Sequence, residues 1–266
     1  IDRHEASRLR LAWALQYGGQ PSDGELLRHA LAQEIAWREV APFQGIGETL
    51  EILAALVARD RRVEDVWLMA RAKRANFDAA AGFSAKHLVA GGVAATLSYV
   101  RAAADRPEAE RKRVLEILLG EPAAPDARCP ISEEALGEWH EVKRRGYPRD
   151  PAAEPKALWV DRAIAAGEPA LARDLLVEWT TSCDVERDTG FLSSLALRLQ
   201  ELGMHHEEAT ARDELLLLLS TPFERAGERA RAAAAARKAR QWRRALDHLD
   251  HAALLHPGRT VLTRSV

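Results

Sequence analysis

Two histidines near the end of the chain have neighbours that could help them to bind a metal ion. His248 and His251 are three residues apart, and Asp247 and Asp250 flank them. Residues at this spacing share one face of a helix, but a zinc site needs three or four ligands with supporting hydrogen bonds. The apolar residues between them are expected to take the packed side of the helix. We therefore predict a face directed toward solvent, including both histidines, and no metal site.

A second cluster consists of four residues of types that bind metals, His205, His206, Glu207 and Glu208. It falls in a turn between two helical segments, where polar residues are expected because loops lie at the surface. We predict a structural role for this cluster. We expect neither a metal nor any cofactor for the protein.

The stretch RAKRANFDAAAGF, residues 71–83, is the most unusual part of the first half of the chain. Asn76 and Asp78 are residue types that favour helix caps and turns, so we interpret the stretch as a helix end. The alternative is a pocket formed by Lys73, Asn76, Asp78 and His87. It would serve a helical enzyme or a small-ligand-binding domain, and it predicts a deep, partly apolar cavity.

Basic residues are concentrated between positions 225 and 244. They are Arg225, Arg229, Arg231, Arg237, Lys238, Arg240, Arg243 and Arg244, opposed within the stretch by Glu228. Guanidinium groups bind carboxylates through paired hydrogen bonds, so the expected ligand is an acidic peptide segment or a C-terminus of another protein. We predict that Arg229, Arg237, Arg240 and Arg244 contact this partner. A solvated face is the alternative, and the net charge of −2 disfavours nucleic acid.

The short motifs of the common enzyme classes do not occur. The chain contains no Walker loop, no GxSxG, no HExxH and no GxGxxG after a strand. We therefore assign no catalytic residue, and the expectation leans toward a non-enzymatic protein.

Composition and cysteine usage indicate a cytoplasmic protein. The longest purely apolar stretches are short, as at residues 215–219, whereas a bilayer span needs roughly 18–20 apolar residues. No basic segment followed by an apolar one opens the chain. Cys129 and Cys183 lack CxxC spacing, and two thiols do not make a disulfide framework. We expect reduced cysteines and no membrane partner.

Helical periodicity runs through almost the whole chain, and no stretch alternates with period two over a length sufficient for a sheet. Alanine, leucine, arginine and glutamate, which are strong helix formers, dominate. Glycine- and proline-rich segments at residues 120–130 and 146–155 divide the chain. We predict an N-terminal α-helical domain at residues 1–120, a linker region with one helix at 121–155 and a repeat domain at 156–258.

Three segments of the second half resemble one another. Each contains a helix end, a short polar turn and a second helix with a small residue near its start. These small residues are Ala172, Ala209 and Ala245. Two antiparallel helices and their turns use roughly 34–40 residues, and a small side chain allows two helix axes to approach closely. We therefore predict stacked helical hairpins with these alanines at the tight contacts.

The last segment resembles a tetratricopeptide repeat. Ala233 matches the small residue of the first helix of that family, and Ala245, Leu249 and Ala252 match the small–large–small series of the second helix. Pro257 matches the proline that closes the repeat. The earlier segments keep a glycine at the turn but depart from the family elsewhere. The spacing between Ala172, Ala209 and Ala245 also exceeds the repeat length of roughly 34 residues in that family.

The resemblance implies a right-handed α-α superhelix in the C-terminal half, within an all-α protein. For the N-terminal half we expect a helical bundle or an irregular α-solenoid. By analogy, the function would be that of a scaffold, adaptor or regulatory domain that binds another protein. Most of the seven tryptophans are expected between helices, and an exposed one would mark a binding hot spot. The partner and the oligomeric state stay open at this point.

Overall fold

The computed structural model describes residues 5–41, 45–120, 127–181 and 187–255. These residues form fourteen α-helices and short 3₁₀ turns, with no β-strand among them, so the predicted all-α class is confirmed. The chain divides into two compact units, Ile1–Glu154 and Pro155–Val266. Within the described residues, every helix is either too short or too polar to cross a bilayer.

The first unit contains eight helices joined by short turns. They are α1 (Glu5–Gly18), α2 (Gly24–Val40), α3 (Glu48–Ala58), α4 (Val66–Lys73), α5 (Phe77–Gly82), α6 (Val93–Ala102), α7 (Glu108–Leu119) and α8 (Glu133–Gly146). Four 3₁₀ turns lie between or after them, at Pro21–Asp23, Val63–Asp65, Ala85–His87 and Pro151–Ala153.

Helix α3 forms the centre of the first unit. From Leu50 to Ala58 every residue except Glu51 is buried. A helix that is apolar on all sides must be covered on all sides, and α1 and α2 both pack against α3. The large apolar cluster around it includes residues of α1 to α8.

Helix α8 belongs to the first unit, although we predicted it within a linker region. Ser132 caps its N-terminus by accepting a hydrogen bond from the N–H of Ala135 at 3.0 Å. Leu136 and Trp139 are buried in the apolar cluster of the unit. Glu133 accepts bonds from the first N–H groups of α6, at 2.8 and 3.2 Å. The boundary between the two units therefore lies after Glu154, at the second of the two proline-rich segments.

The second unit consists of six helices. They are α9 (Lys156–Ala165), α10 (Pro169–Thr181), α11 (Thr189–Glu201), α12 (His205–Leu218), α13 (Pro222–Lys238) and α14 (Trp242–Leu255). Consecutive helices pack as three hairpins, α9–α10, α11–α12 and α13–α14, and α12 also packs against α13.

The three hairpins share one turn geometry. Gly167, Gly203 and Arg240 occupy the same left-handed position, with φ angles of 74°, 70° and 60°. In each turn the N–H of this residue bonds to the carbonyl three residues earlier, and the next N–H bonds to the carbonyl five residues earlier. This pattern satisfies carbonyls at the end of the first helix of each pair. It needs a left-handed residue, which is usually glycine.

Ala172, Ala209 and Ala245, which we predicted at the tight contacts, are all buried. When the three hairpins are aligned on this common turn, Ala209 of the middle hairpin falls one position later than Ala172 and Ala245 do in theirs. Ala172 and Ala245 stand five residues after the left-handed position, and the equivalent residue of the second hairpin is Glu208. Pro257 and Cys183, which the sequence analysis considered, lie outside the described residues.

Candidate functional site

The four arginines that we predicted to bind a partner separate into two pairs. Arg244 is held by its own unit, because its Nε and Nη2 donate to Oδ2 of Asp213 at 3.1 and 2.5 Å. Arg229 is half-buried, with Nη1 3.3 Å from Nδ1 of His248. Arg237 and Arg240 are exposed. Only the second pair is available to another molecule in the arrangement seen here.

His248 is 5% exposed, so the prediction that it faces solvent is wrong. Its Nε2 lies 3.0 Å from Oδ1 of Asp213, a residue of the neighbouring hairpin. Burial lowers the pKa of His248, the Asp213 carboxylate opposes this change, and Arg229 and Arg244 add to it. His251 is exposed as predicted. The two histidines therefore have separate surroundings despite their spacing.

The cluster at residues 205–208 also forms contacts within its own unit, which agrees with the structural role that we predicted. Glu208 is buried and accepts a hydrogen bond from Nε of Arg212 at 2.9 Å. Nδ1 of His205 lies 3.1 Å from the other carboxylate oxygen of Glu208. Within the described ranges, no three histidine, cysteine, aspartate or glutamate side chains are grouped as metal ligands.

A group of exposed cations surrounds the turn between α13 and α14. We call Arg237, Lys238, Arg240 and Arg243 the turn cations. All four are exposed, and none forms an ion pair with any residue that the structure describes. The nearest arginine in sequence, Arg244, is by contrast neutralised by Asp213. The turn therefore carries a concentrated positive charge without an internal counter-charge.

Polar contacts fix this turn against the second hairpin. Nε2 of Gln241 donates to Nδ1 of His206 at 2.5 Å, and Oε1 of Gln241 accepts from Nη1 of Arg244 at 2.8 Å. Because Arg244 is also bound to Asp213, the chain directly after Arg240 is attached to α12 at two points.

Trp242 is the one tryptophan of the seven that is exposed, at 55%. It opens α14 beside Arg243, and both line a shallow depression with Gln241. Tryptophan and arginine are both enriched at binding hot spots. The remaining tryptophans are buried or half-buried, as predicted.

An apolar groove of about 310 Å³ lies between α10, α11 and α12. Leu176, Leu195, Leu199 and Met204 contribute apolar lining, and His206, Arg187, Glu207 and Glu214 lie at the same groove. Since His206 accepts the hydrogen bond from Gln241, the groove reaches the turn between α13 and α14. The apolar groove and the turn cations therefore adjoin within one unit.

Three residues of the alternative pocket form hydrogen bonds with backbone groups of the first unit. Nζ of Lys73 donates to the carbonyls of Ala80 and Phe83, both at 2.8 Å, and burial lowers the pKa of this amine. Asn76 caps α5, and its side chain accepts the N–H of Ala79 at 2.7 Å. Asp78 accepts the N–H of Gly45 at 2.9 Å. These contacts match the helix-end interpretation of the stretch.

His87, the fourth residue of that pocket, is 1% exposed and packs among aromatic rings. Its ring stacks on Phe83 with centroids 4.3 Å apart and meets Trp139 edge-on at 4.7 Å. Nδ1 lies 3.1 Å from the carbonyl of Ser84. Burial lowers the pKa of His87 to about 3, so the imidazole is neutral at physiological pH. Its contacts are those of a core residue rather than of a ligand-facing one.

Sequence reasoning missed Gln241, His206 and Trp242 as parts of the site. The sequence carried one signal for this turn, because aligning the three turns places Arg240 where the other two have glycine. The His206–Gln241 contact carries no such signal, because it joins residues 35 apart. No family model, no curated protein and no solved structure matches this chain.

Proposed function

We propose that the second unit is a tetratricopeptide-like docking module that binds an acidic segment of another protein and catalyses no reaction. The observation that carries this proposal is the set of turn cations, which are exposed and have no ion pair among the described residues. Arginine binds carboxylates with directional, paired hydrogen bonds. A glutamate- or aspartate-rich peptide is therefore the complementary partner.

The adjoining groove supports a more specific partner. Its apolar lining suits one or two leucine-sized side chains, and the turn cations suit carboxylates next to them in sequence. Helical repeat proteins bind extended segments along such surfaces. We propose a partner segment with an apolar anchor followed by acidic residues, in a protein of the cytoplasm.

The backbone of Arg240 also supports a role for this side chain. A residue with a Cβ in the left-handed region costs roughly 1–2 kcal/mol, and glycine avoids that cost. The other two hairpins use glycine at this place, whereas the third uses arginine. Strain of this kind is common at functional sites. An arginine whose side chain contacts a partner would explain it.

A fluorescence anisotropy titration tests the proposal directly. The probe is a fluorescein-labelled peptide in which two leucines precede four glutamates, and the reference peptide has glutamines in place of the glutamates. We expect the acidic peptide to bind and its affinity to fall as salt is added, because screening weakens exposed charge pairs. The double variant Arg237→Glu with Arg240→Glu should lose binding by at least about tenfold.

The matched control changes the same charge in the first unit, with Arg101→Glu and Arg113→Glu, and should bind like the unaltered protein. Both positions are exposed, so neither double variant should disturb folding, and circular dichroism checks this. Equal affinity for both peptides, or binding that does not respond to salt, would show that the turn cations are only a solvated surface.

A further inference from the structure

A second basic surface lies in the first unit, in a cleft of about 790 Å³. The end of α3, the second half of α8 and the segment after α8 form its walls. Six cationic side chains line it: Arg59, Arg61, Lys143, Arg144, Arg145 and Arg149. Asp150 is the one carboxylate among the lining residues, and its Oδ1 accepts the N–H of Ala152 at 2.9 Å.

Two of the six cations have internal counter-charges. Lys143 pairs with Glu51 at 2.5 Å, and Arg144 pairs with Glu141 at 3.0 Å. The other four, Arg59, Arg61, Arg145 and Arg149, make no ion pair with the described part of the chain. We call these four the cleft arginines. Their charge is not compensated within the unit, which creates a positive field inside a concave surface.

Arg59 shows the consequence of this crowding. It is half-buried, and its Nη2 donates to the carbonyl of Tyr147, which is a neutral partner. Burial lowers the pKa of Arg59, and the charges of Arg149 and Arg144 lower it further. A bound anion would remove this repulsion, because an opposite charge nearby favours the ionised form.

Arg61 is held in an unusual backbone conformation at the edge of the cleft, with a φ of 51°. The chain there packs tightly against Gly91, where an added Cβ would lie 2.9 Å from the carbonyl oxygen of Arg61 and the N of Val63. The absence of a side chain at Gly91 thus permits this close approach. The position of Arg61 is fixed by the packing of its backbone.

The lining of the cleft is apolar between the cations. Ala55, Ala58, Trp139 and Pro148 contribute to it. The volume lies within the range of small-molecule sites. The cations come from two parts of the chain, residues 59–61 and 143–149, and converge on one volume, whereas an extended polyanion such as a nucleic acid would be matched by a continuous basic stripe. These features indicate a compact ligand with several neighbouring negative charges and an apolar part.

We propose that this cleft binds a small organic phosphate that carries at least two adjacent phosphoryl groups, such as a nucleoside diphosphate. The cleft arginines would bind the phosphoryl oxygens, for which the guanidinium fork is well suited. The apolar surface would cover the organic part. This site is independent of the turn cations, because it is complete within the first unit.

Isothermal titration calorimetry of the full chain with ADP, AMP and inorganic pyrophosphate tests the site. We expect ADP to bind more tightly than AMP, because it adds a phosphoryl group, and more tightly than pyrophosphate, because it adds an apolar part. The double variant Arg61→Gln with Arg149→Gln should weaken ADP binding by at least about tenfold. Arg145→Gln alone should weaken it by a smaller factor and serves as a second variant should the double variant unfold.

Two controls separate this proposal from the docking module. Arg113→Gln removes an exposed charge of the first unit that does not line the cleft, and it should leave ADP binding unchanged. The Arg237→Glu, Arg240→Glu variant should also bind ADP normally. No ADP binding at about 1 mM in low salt, an affinity that survives substitution of the cleft arginines, or tight binding of a single-stranded oligonucleotide without ADP binding would overturn the assignment.

Discussion

The two units bury charged residues in opposite arrangements. In the first unit a carboxylate, Glu34, lies between two buried arginines, with Arg8 Nε and Arg38 Nε each 2.7 Å from its oxygens. In the second unit an arginine, Arg212, lies between two buried carboxylates, Glu208 at 2.9 Å and Glu228 at 2.8 Å. One triad therefore has an excess positive charge, and the other has an excess negative charge.

The outer members of the two triads also differ in their secondary partners. Arg8 lies over the ring of Trp37 at 5.4 Å, and Arg38 Nη2 is 3.4 Å from the half-exposed Glu5. In the second unit, Glu228 has a further partner in the exposed Arg231, at 2.9 Å.

The surroundings of the triads explain what each one contributes. The first unit has a large apolar cluster around α3, so its stability does not rest on the triad alone. In the second unit the triad joins α12 to α13, where the apolar cluster consists of four alanines, Ala209, Ala235, Ala236 and Ala245. Alanines bury little area each. We infer that the Arg212 triad sets the register between the second and third hairpins.

Substitution of Glu34 should have the largest effect. Glu34→Gln removes the carboxylate that lies between the buried Arg8 and Arg38, which costs about 3–5 kcal/mol. Urea unfolding, with hydrogen exchange and mass spectrometry to assign the loss to the first unit, measures it. Glu39→Gln is the control, because it breaks an exposed pair with Arg71 and should cost less than about 1 kcal/mol. If Glu34→Gln and Glu39→Gln cost the same free energy of unfolding, Glu34 does not stabilise the first unit through the buried arginines.

Loss of Arg212 should cost slightly less than loss of Glu34. Arg212→Met should cost about 3 kcal/mol, because it removes the guanidinium that lies between the buried Glu208 and Glu228. Hydrogen exchange of α12 and α13 measures the loss, with the exposed Arg187→Met as control. Faster exchange in only one of the two helices would contradict the role of the triad in joining them.

Acid should weaken the first unit through His87. An unfolded histidine binds a proton below pH 6.5, whereas folded His87 does so only near pH 3. Protons therefore favour the unfolded state in that window, and stability falls by about 2 kcal/mol between pH 7 and pH 5. His87→Leu should lose this part of the pH dependence. His29→Leu, at an exposed position, should retain it, and an unchanged slope in His87→Leu would refute the assignment.

The smallest effect is expected at the turn of the third hairpin. Arg240→Gly should stabilise the second unit by about 0.5–1 kcal/mol, because it removes left-handed strain at some cost in chain entropy. Gly203→Ala should destabilise it by a similar amount. Thermal unfolding measures both, with Arg243→Ala as the neutral control. Arg240→Gly should also weaken binding of the acidic peptide, and a gain in stability without a loss of binding would remove Arg240 from the docking surface.

Local features of the fold followed from the sequence. Serine favours helix N-caps, and Ser132 caps α8. Ser84 is of the same residue type, but it caps only a 3₁₀ turn, Ala85–His87. Gly91 and Gly92 follow closely, so the segment is too short to propagate a helix, whose first turn is costly to form.

The candidate sites were less accessible to prediction. The basic stretch of residues 225–244 was apparent, but its division into internal and exposed arginines was not. Arg244 is withdrawn from the surface by Asp213, which is 31 residues away. Sequence reasoning did not group the cleft arginines, because Arg59 and Arg149 are far apart in sequence although they line the same cleft. Burial of His248 arises from the same long-range packing.

The amino-acid sequence alone determined the helical state, the breaks between helices and the small residues at the hairpin contacts. These properties depend on propensities and periodicities within a few turns of helix, so each is decided by near neighbours. The tertiary structure alone decided which charges are neutralised, which are buried and which stay exposed. A charged side chain takes its partner from whatever segment packs beside it, and packing brings together Arg8 with Glu34 and Arg212 with Glu228 across 26 and 16 residues.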